Sequence, residues 1–122
     1  VVKEAKFQAA SPKHPVMSGI QPFELPFEEF YYKLKVPKEP KHWTPLVQVP
    51  IEGNVETVGW AWERPDGGRS VGYSGLHFHV NWRHEQYQRL ITQAVLWALK
   101  RPIPKDGLKV KLDSKVLELK QP

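Results

Sequence analysis

We predict an α/β fold for this chain, in which a mixed β-sheet carries a β-hairpin and one long helix follows it. Two observations support this fold class. Alternating and β-branched residues at 56–63 and 69–74 flank the turn-forming pair Asp66-Gly67, which is typical of a hairpin. Apolar residues then recur every three or four positions across 85–100, as they do on one face of a helix.

The other elements are predicted from local composition. Alternating or β-branched residues favour a strand, and closely spaced prolines and glycines favour a loop or end an element. In chain order they are a loop at 1–15, a strand at 27–34, a loop at 35–44, a strand at 46–49, the end of the helix at Lys100 just before Pro102, and short strands or an extended tail at 110–112 and 116–119.

The composition limits the classes of protein to which this chain can belong. With 122 residues, 40% of them hydrophobic, the chain is predicted to be one globular domain. The net charge is +5, but the lysines alternate with prolines and acids and accompany no nucleic-acid-binding motif, so we predict a solvated basic surface and no nucleic-acid partner. There is no cysteine, which excludes disulfides and cysteine nucleophiles. No membrane span is predicted, and the compartment is left open between cytoplasmic and exported.

The predicted elements do not cover their own apolar surface. One helix covers one face of a sheet, whereas sheets of α/β folds usually carry helices on both. Trp60, Trp62 and the apolar helix stripe therefore indicate that something is missing: an N-terminal half, a partner chain or a swapped copy in a homo-oligomer. The chain also begins with Val1 rather than Met, which indicates a processed, trimmed or fragmentary chain.

Several short segments, in their order and spacing, resemble the C-terminal part of ThuA-like (trehalose utilisation) proteins. No single segment is specific. They are His-Pro-Val followed by Gly-Ile at 14–20, Phe-Glu-Glu-Phe-Tyr-Tyr at 27–32, Thr-Pro-Leu at 44–46, Gly-Trp-Ala-Trp-Glu-Arg at 59–64, Gly-Arg-Ser-Val-Gly-Tyr at 68–73 and Ala-Val-Leu-Trp-Ala at 94–98.

The resemblance implies the C-terminal portion of a flavodoxin-like, class I glutamine-amidotransferase-like fold. Residues 1–102 would form this domain, with the N-terminal half of the family's fold having no counterpart, and 103–122 would be an extension or linker. The implied function is carbohydrate utilisation, by binding or transforming a sugar or an oxidised sugar derivative. In amidotransferases of related fold a histidine at the position of His77 activates a cysteine. This chain has no cysteine, so amidotransferase chemistry is not expected.

Three histidines lie close together where the last hairpin strand leads into the helix. In an extended segment His77 and His79 point to the same side, and His84 or Glu85 would supply a third ligand for a divalent metal such as zinc. Without a metal, His77 is a candidate general base. The alternative is that His77 is a packed, hydrogen-bonded histidine, while the other two are loop residues.

Acidic and aromatic residues complete the candidate site. Glu28 and Glu29 are both candidates for a general base or ligand, and Glu29 is the one selected, against the alternative that both carboxylates face solvent. Trp82 and Tyr32 are candidate sugar-stacking residues, with His79 as a further substrate contact. Whether the protein is an enzyme is left open. The second hypothesis is a non-catalytic carbohydrate-binding or protein-interaction module with structural histidines, and a third is a basic accessory segment of a larger assembly.

Overall fold

The computed structural model describes residues 1–36 and 41–118. It is an α/β structure in which one helix packs on a curled five-stranded sheet with strand order β2-β1-β3-β4-β5. The strands are β1 (Val2–Ala9), β2 (Phe23–Glu28), β3 (Trp43–Ile51), β4 (Asn54–Glu63) and β5 (Arg69–Tyr73). Helix α1 spans Glu85–Ala98, and short 3-10 turns lie at Pro15–Met17, His79–Arg83 and Ser114–Leu117. None of the helices in the described ranges is long and apolar enough to cross a membrane.

The hairpin and the helix start are confirmed. Strands β4 and β5 pair from Glu63 opposite Arg69 to Gly59 opposite Tyr73. Asp66 closes their connection because its carboxylate accepts the backbone N–H of Gly68 at 2.9 Å. Gly67 supplies the left-handed backbone of the turn, at φ 83°.

The sheet itself differs from the prediction. All strand pairs among the described residues are antiparallel, so the expected mixed sheet is wrong for this part of the chain. The loop predicted at 1–15 contains β1, whose Ala5 and Phe7 are buried between polar neighbours. Alanine, lysine and glutamate disfavour strands in isolation, and this strand forms because it pairs with β2 and β3 on its two sides.

Two further predicted strands are displaced or absent. The strand predicted at 27–34 lies at 23–28 instead, because the chain leaves the sheet after Glu28, whose side chain turns into the interior. Residues 110–112 form no strand, and Val116 lies in the last 3-10 turn. The remainder of the tail, and part of the loop predicted at 35–44, lie outside the described residues.

Helix α1 covers one face of the sheet and ends two residues before the predicted position. Tyr87, Leu90, Ala94 and Trp97 bury its apolar stripe in the core. The helix ends in a Schellman motif, in which the N–H of Lys100 donates to Trp97 O at 3.0 Å and that of Arg101 to Leu96 O at 2.8 Å. Lys100 takes the left-handed conformation, φ 55°, that this motif requires.

The opposite face of the sheet carries the tryptophans. Trp43 lies opposite Trp62 in the β3–β4 ladder, and Trp60 lies opposite Gly72 in the β4–β5 ladder. These three tryptophans and residues 34–36 line a cavity of about 170 Å³. A Cβ at Gly72 would overlap the Trp60 ring, so a larger residue there would displace the ring.

Candidate acid–base site

A buried carboxylate lies between the end of β2 and the segment that joins β5 to α1, residues 74–84, here called the histidine loop. Glu28 is the last residue of β2 and is 0% exposed. Its Oε1 accepts the backbone N–H of Glu29 at 2.9 Å and that of His77 at 3.1 Å. Its Oε2 accepts the Asn81 side-chain amide and the Tyr87 hydroxyl, each at 3.0 Å.

These four donors fully occupy the carboxylate and fix the histidine loop. Asn81 also donates to the backbone carbonyl of Phe27 at 2.8 Å. The Tyr87 hydroxyl accepts the N–H of Leu76 at 3.0 Å, and Leu76 has a left-handed backbone at φ 75°. A buried polar group without partners is costly, so the network holds the loop in one conformation. The expectation that Glu28 faces solvent is wrong.

The tyrosine hydroxyls around this carboxylate are held in their protonated form. Burial raises the pKa of Tyr87, and the Glu28 carboxylate raises it further. Burial, and then neighbouring Tyr87, raises the pKa of Tyr73 well above its ordinary value. Tyr87 therefore remains a hydrogen-bond donor to Glu28 throughout the neutral range.

Glu29 and His77 are brought together beside this buried network. Glu29 Oε2 lies 3.5 Å from His77 Nδ1, with side-chain exposures of 35% and 59%. The Phe78 ring packs edge-on against the His77 imidazole, with centroids 4.7 Å apart. A carboxylate at Nδ1 favours the tautomer that carries its proton there, which leaves the Nε2 lone pair free and accessible. This arrangement suits acid–base chemistry at the surface.

The other two histidines are engaged elsewhere. His79 Nε2 donates to the backbone carbonyl of Leu117, 2.9 Å away in the last 3-10 turn. The His84 ring stacks on Phe23, with centroids 4.8 Å apart, and burial lowers its pKa. Among residues 1–36 and 41–118, no three His, Cys, Asp or Glu side chains are grouped so that they could hold a metal ion. The three histidines therefore do not fit one metal centre here.

The two candidate stacking residues have different surroundings. Trp82 is half-buried in the histidine loop, its ring centroid 5.8 Å from that of Tyr87, and its backbone carbonyl accepts Gln88 Nε2 at 2.6 Å. Tyr32 lies under the Lys33 ammonium, 5.1 Å from the ring centroid. Glu52, in the β3–β4 turn, raises the pKa of Tyr32 through a hydrogen bond to its hydroxyl. Trp82 thus belongs to the histidine loop, whereas the Tyr32 hydroxyl is directed to another turn.

The sequence did not identify the residues that organise this site. Asn81 and Tyr87 are separated from Glu28 by more than 50 positions, and their hydrogen bonds form only in the folded chain. One local signal existed. Tyr87 places a hydroxyl within an otherwise apolar helix stripe, and such a group needs a buried partner.

Comparisons with protein-family models, with curated proteins and with solved structures give no match for this chain.

Proposed function

We propose that this chain is the C-terminal part of a ThuA-like protein of carbohydrate utilisation, with a flavodoxin-like, class I glutamine-amidotransferase-like fold in the whole protein. In this proposal the Glu29–His77 pair acts as a general acid–base toward a sugar or an oxidised sugar derivative. The observation that carries it is the 3.5 Å approach of Glu29 Oε2 to His77 Nδ1, with the imidazole open to solvent.

The pair brings together the two groups that histidine-based proton transfer uses, an imidazole and a carboxylate beside its Nδ1. Nε2 of His77 takes a proton from a sugar hydroxyl, or from a carbon next to a sugar carbonyl, and later returns it. Glu29 orients the imidazole and stabilises the imidazolium that forms, as an orienting carboxylate does in histidine-based catalysis generally. Separations such as 3.5 Å are common before substrate binds and shorten in the complex.

Hydrogen–deuterium exchange into sugars tests this function. The chain is incubated in D2O with a panel of keto-sugars, and deuterium at the carbon next to the carbonyl is followed by NMR. We expect exchange above the buffer rate, lowered at least ~100-fold in His77→Gln, since general-base catalysis contributes about that much or more. Glu29→Ala lowers it as well, and Glu24→Ala, which removes an exposed carboxylate of β2, leaves it unchanged.

The outcomes separate the parts of the proposal. Exchange that is equal in His77→Gln and in the original chain would refute His77 as the base. Trp82→Ala is expected to weaken sugar binding by about threefold to tenfold, the range of one aromatic contact. Full affinity without Trp82 would remove it as a sugar contact.

A second candidate, an interaction module, is favoured by the open edge of the sheet. Ser74 N–H donates to Val58 O on β4 at 2.8 Å, so ladder alternation directs the backbone groups of Val71 and Tyr73 away from β4. Beside them β5 and α1 form a groove of about 320 Å³ lined by apolar side chains. The other edge strand carries Pro26, which blocks pairing, whereas β5 carries no proline.

In this second function an extended apolar segment pairs with β5. The segment would come from the missing N-terminal half, a partner chain or a swapped copy. We expect a native mass above the denatured chain mass of 14.1 kDa, with slowed amide exchange at Val71 and Tyr73 in the complex. Ser74, already bonded to β4, is the internal control. A monomer with fast exchange at both residues would refute strand pairing with a swapped copy.

A further inference from the structure

One oxygen atom holds both members of the acid–base pair. Glu28 Oε1 accepts the backbone N–H of Glu29 at 2.9 Å and that of His77 at 3.1 Å. These two donors come from parts of the chain that are far apart in sequence, the end of β2 and the histidine loop. Their common acceptor therefore fixes the distance between the two backbones from which the Glu29 and His77 side chains project.

The other oxygen of the same carboxylate is anchored to the core. Tyr87, 0% exposed, and Asn81, 4% exposed, both donate to Oε2. Tyr87 lies in the first turn of α1, and Asn81 lies in the 3-10 turn at His79–Arg83 within the histidine loop, where its amide also holds the end of β2 through the Phe27 carbonyl. Glu28 thus joins the core on one side to the backbones of both site residues on the other.

We infer that Glu28 is a positioning residue for the Glu29–His77 pair, an inference that rests on the proposed function. Glu28 sets the pair geometry through Oε1 and transmits the rigidity of the core through Oε2. It has no exposed surface and does not itself contact substrate. Rigid support of this kind separates a productive pair from two neighbouring but independently mobile side chains.

The tautomer of His77 reports this positioning without any substrate. Imidazole nitrogen chemical shifts give the ratio of the Nδ1–H to the Nε2–H form of the neutral ring. We expect the Nδ1–H form to predominate and Glu29→Ala to abolish that preference. Glu28→Leu removes the shared acceptor at similar size and is expected to lower the ratio about tenfold, the factor equal to ~1.4 kcal/mol.

Glu28→Gln is the conservative variant that separates positioning from stability. Its amide oxygen can still accept both backbone N–H groups, so the tautomer ratio is expected to stay within about twofold of the original. The fold is weakened because an NH2 group replaces Oε2 and cannot accept the hydrogen bonds of Asn81 and Tyr87. Val58→Ala, a core truncation in β4, is the control for general destabilisation and is expected to leave the ratio unchanged. If Glu28→Leu does not fold, Glu28→Asp replaces it, because the shorter side chain cannot reach His77 N–H.

Each result has one meaning. An unchanged ratio in Glu29→Ala would refute the proposed pair itself. A ratio that responds to Glu29→Ala but not to Glu28→Leu or Glu28→Asp would refute positioning by Glu28 and leave the pair intact. The tautomer ratio of His77 could instead fall in every Glu28 variant and in Val58→Ala, in proportion to the stability that each variant loses. That result would show that Glu28 has a structural role only, and would overturn the inference.

Discussion

Replacing Glu28 by glutamine is expected to weaken the fold substantially although the shape of the side chain is preserved. The carboxylate is fully buried and accepts four hydrogen bonds. An amide retains one oxygen for the two backbone donors, but its NH2 group then faces Asn81 and Tyr87, which are themselves donors. Two hydrogen bonds to a charged acceptor are lost, and the Tyr87 hydroxyl proton loses its acceptor.

The magnitude follows from these contacts. Each hydrogen bond to a charged group contributes about 1.5–3 kcal/mol, so two contribute ~3–6 kcal/mol. Removing the buried charge relieves its desolvation cost but leaves a buried amide NH2 without an acceptor, so the net offset is about 1–2 kcal/mol. We therefore expect the free energy of unfolding to fall by about 2–4 kcal/mol. With a urea slope near ~1.5 kcal/mol/M, a loss of ~3 kcal/mol lowers the midpoint by about 2 M.

Urea unfolding followed by tryptophan fluorescence measures this change. Glu24→Gln, at an exposed position of the same strand, is the matched control and is expected to change stability by less than ~0.5 kcal/mol. A loss below about 1 kcal/mol for Glu28→Gln would refute the reasoning, because it would mean that the carboxylate is no better than an amide at holding the histidine loop.

Two further predictions concern the end of helix α1 and the half-buried histidines His14 and His84. Lys100→Gly is expected to raise the free energy of unfolding by about 1 kcal/mol, because Lys100 holds a left-handed backbone that glycine adopts without strain. Thermal or urea unfolding measures this change. An unchanged stability would show that the left-handed backbone of Lys100 is not strained. Burial lowers the pKa values of His14 and His84 below 6.5, so the unfolded chain binds protons first as the pH falls. The free energy of unfolding should therefore decrease as the pH falls below ~6.5. The double variant His14→Gln/His84→Gln should show a weaker pH dependence. An equal pH dependence in both proteins would mean that other titratable groups cause it.

The parts of the fold found correctly from sequence are those that local chemistry determines. The helix is recognisable because its apolar residues repeat with the helical period, and the β4–β5 hairpin because Asp66-Gly67 favours a turn between alternating segments. Strand β1 was missed because its lysines, glutamate and alanines disfavour a strand and outnumber Val2 and Phe7, which favour one. This strand is stabilised by its pairing with β2 and with β3, and β3 is remote from it in the sequence.

The same division applies to the candidate site. Sequence alone determined which residues carry suitable chemistry, and it selected His77 and Glu29. Only the tertiary structure decided that these two side chains meet, that His79 and His84 turn to other partners, and that Glu28 is buried beneath them. The physical reason is that side-chain chemistry is local, whereas the burial of a carboxylate depends on donors supplied by distant segments. Those donors are assembled only when the strand end, the histidine loop and the helix pack together.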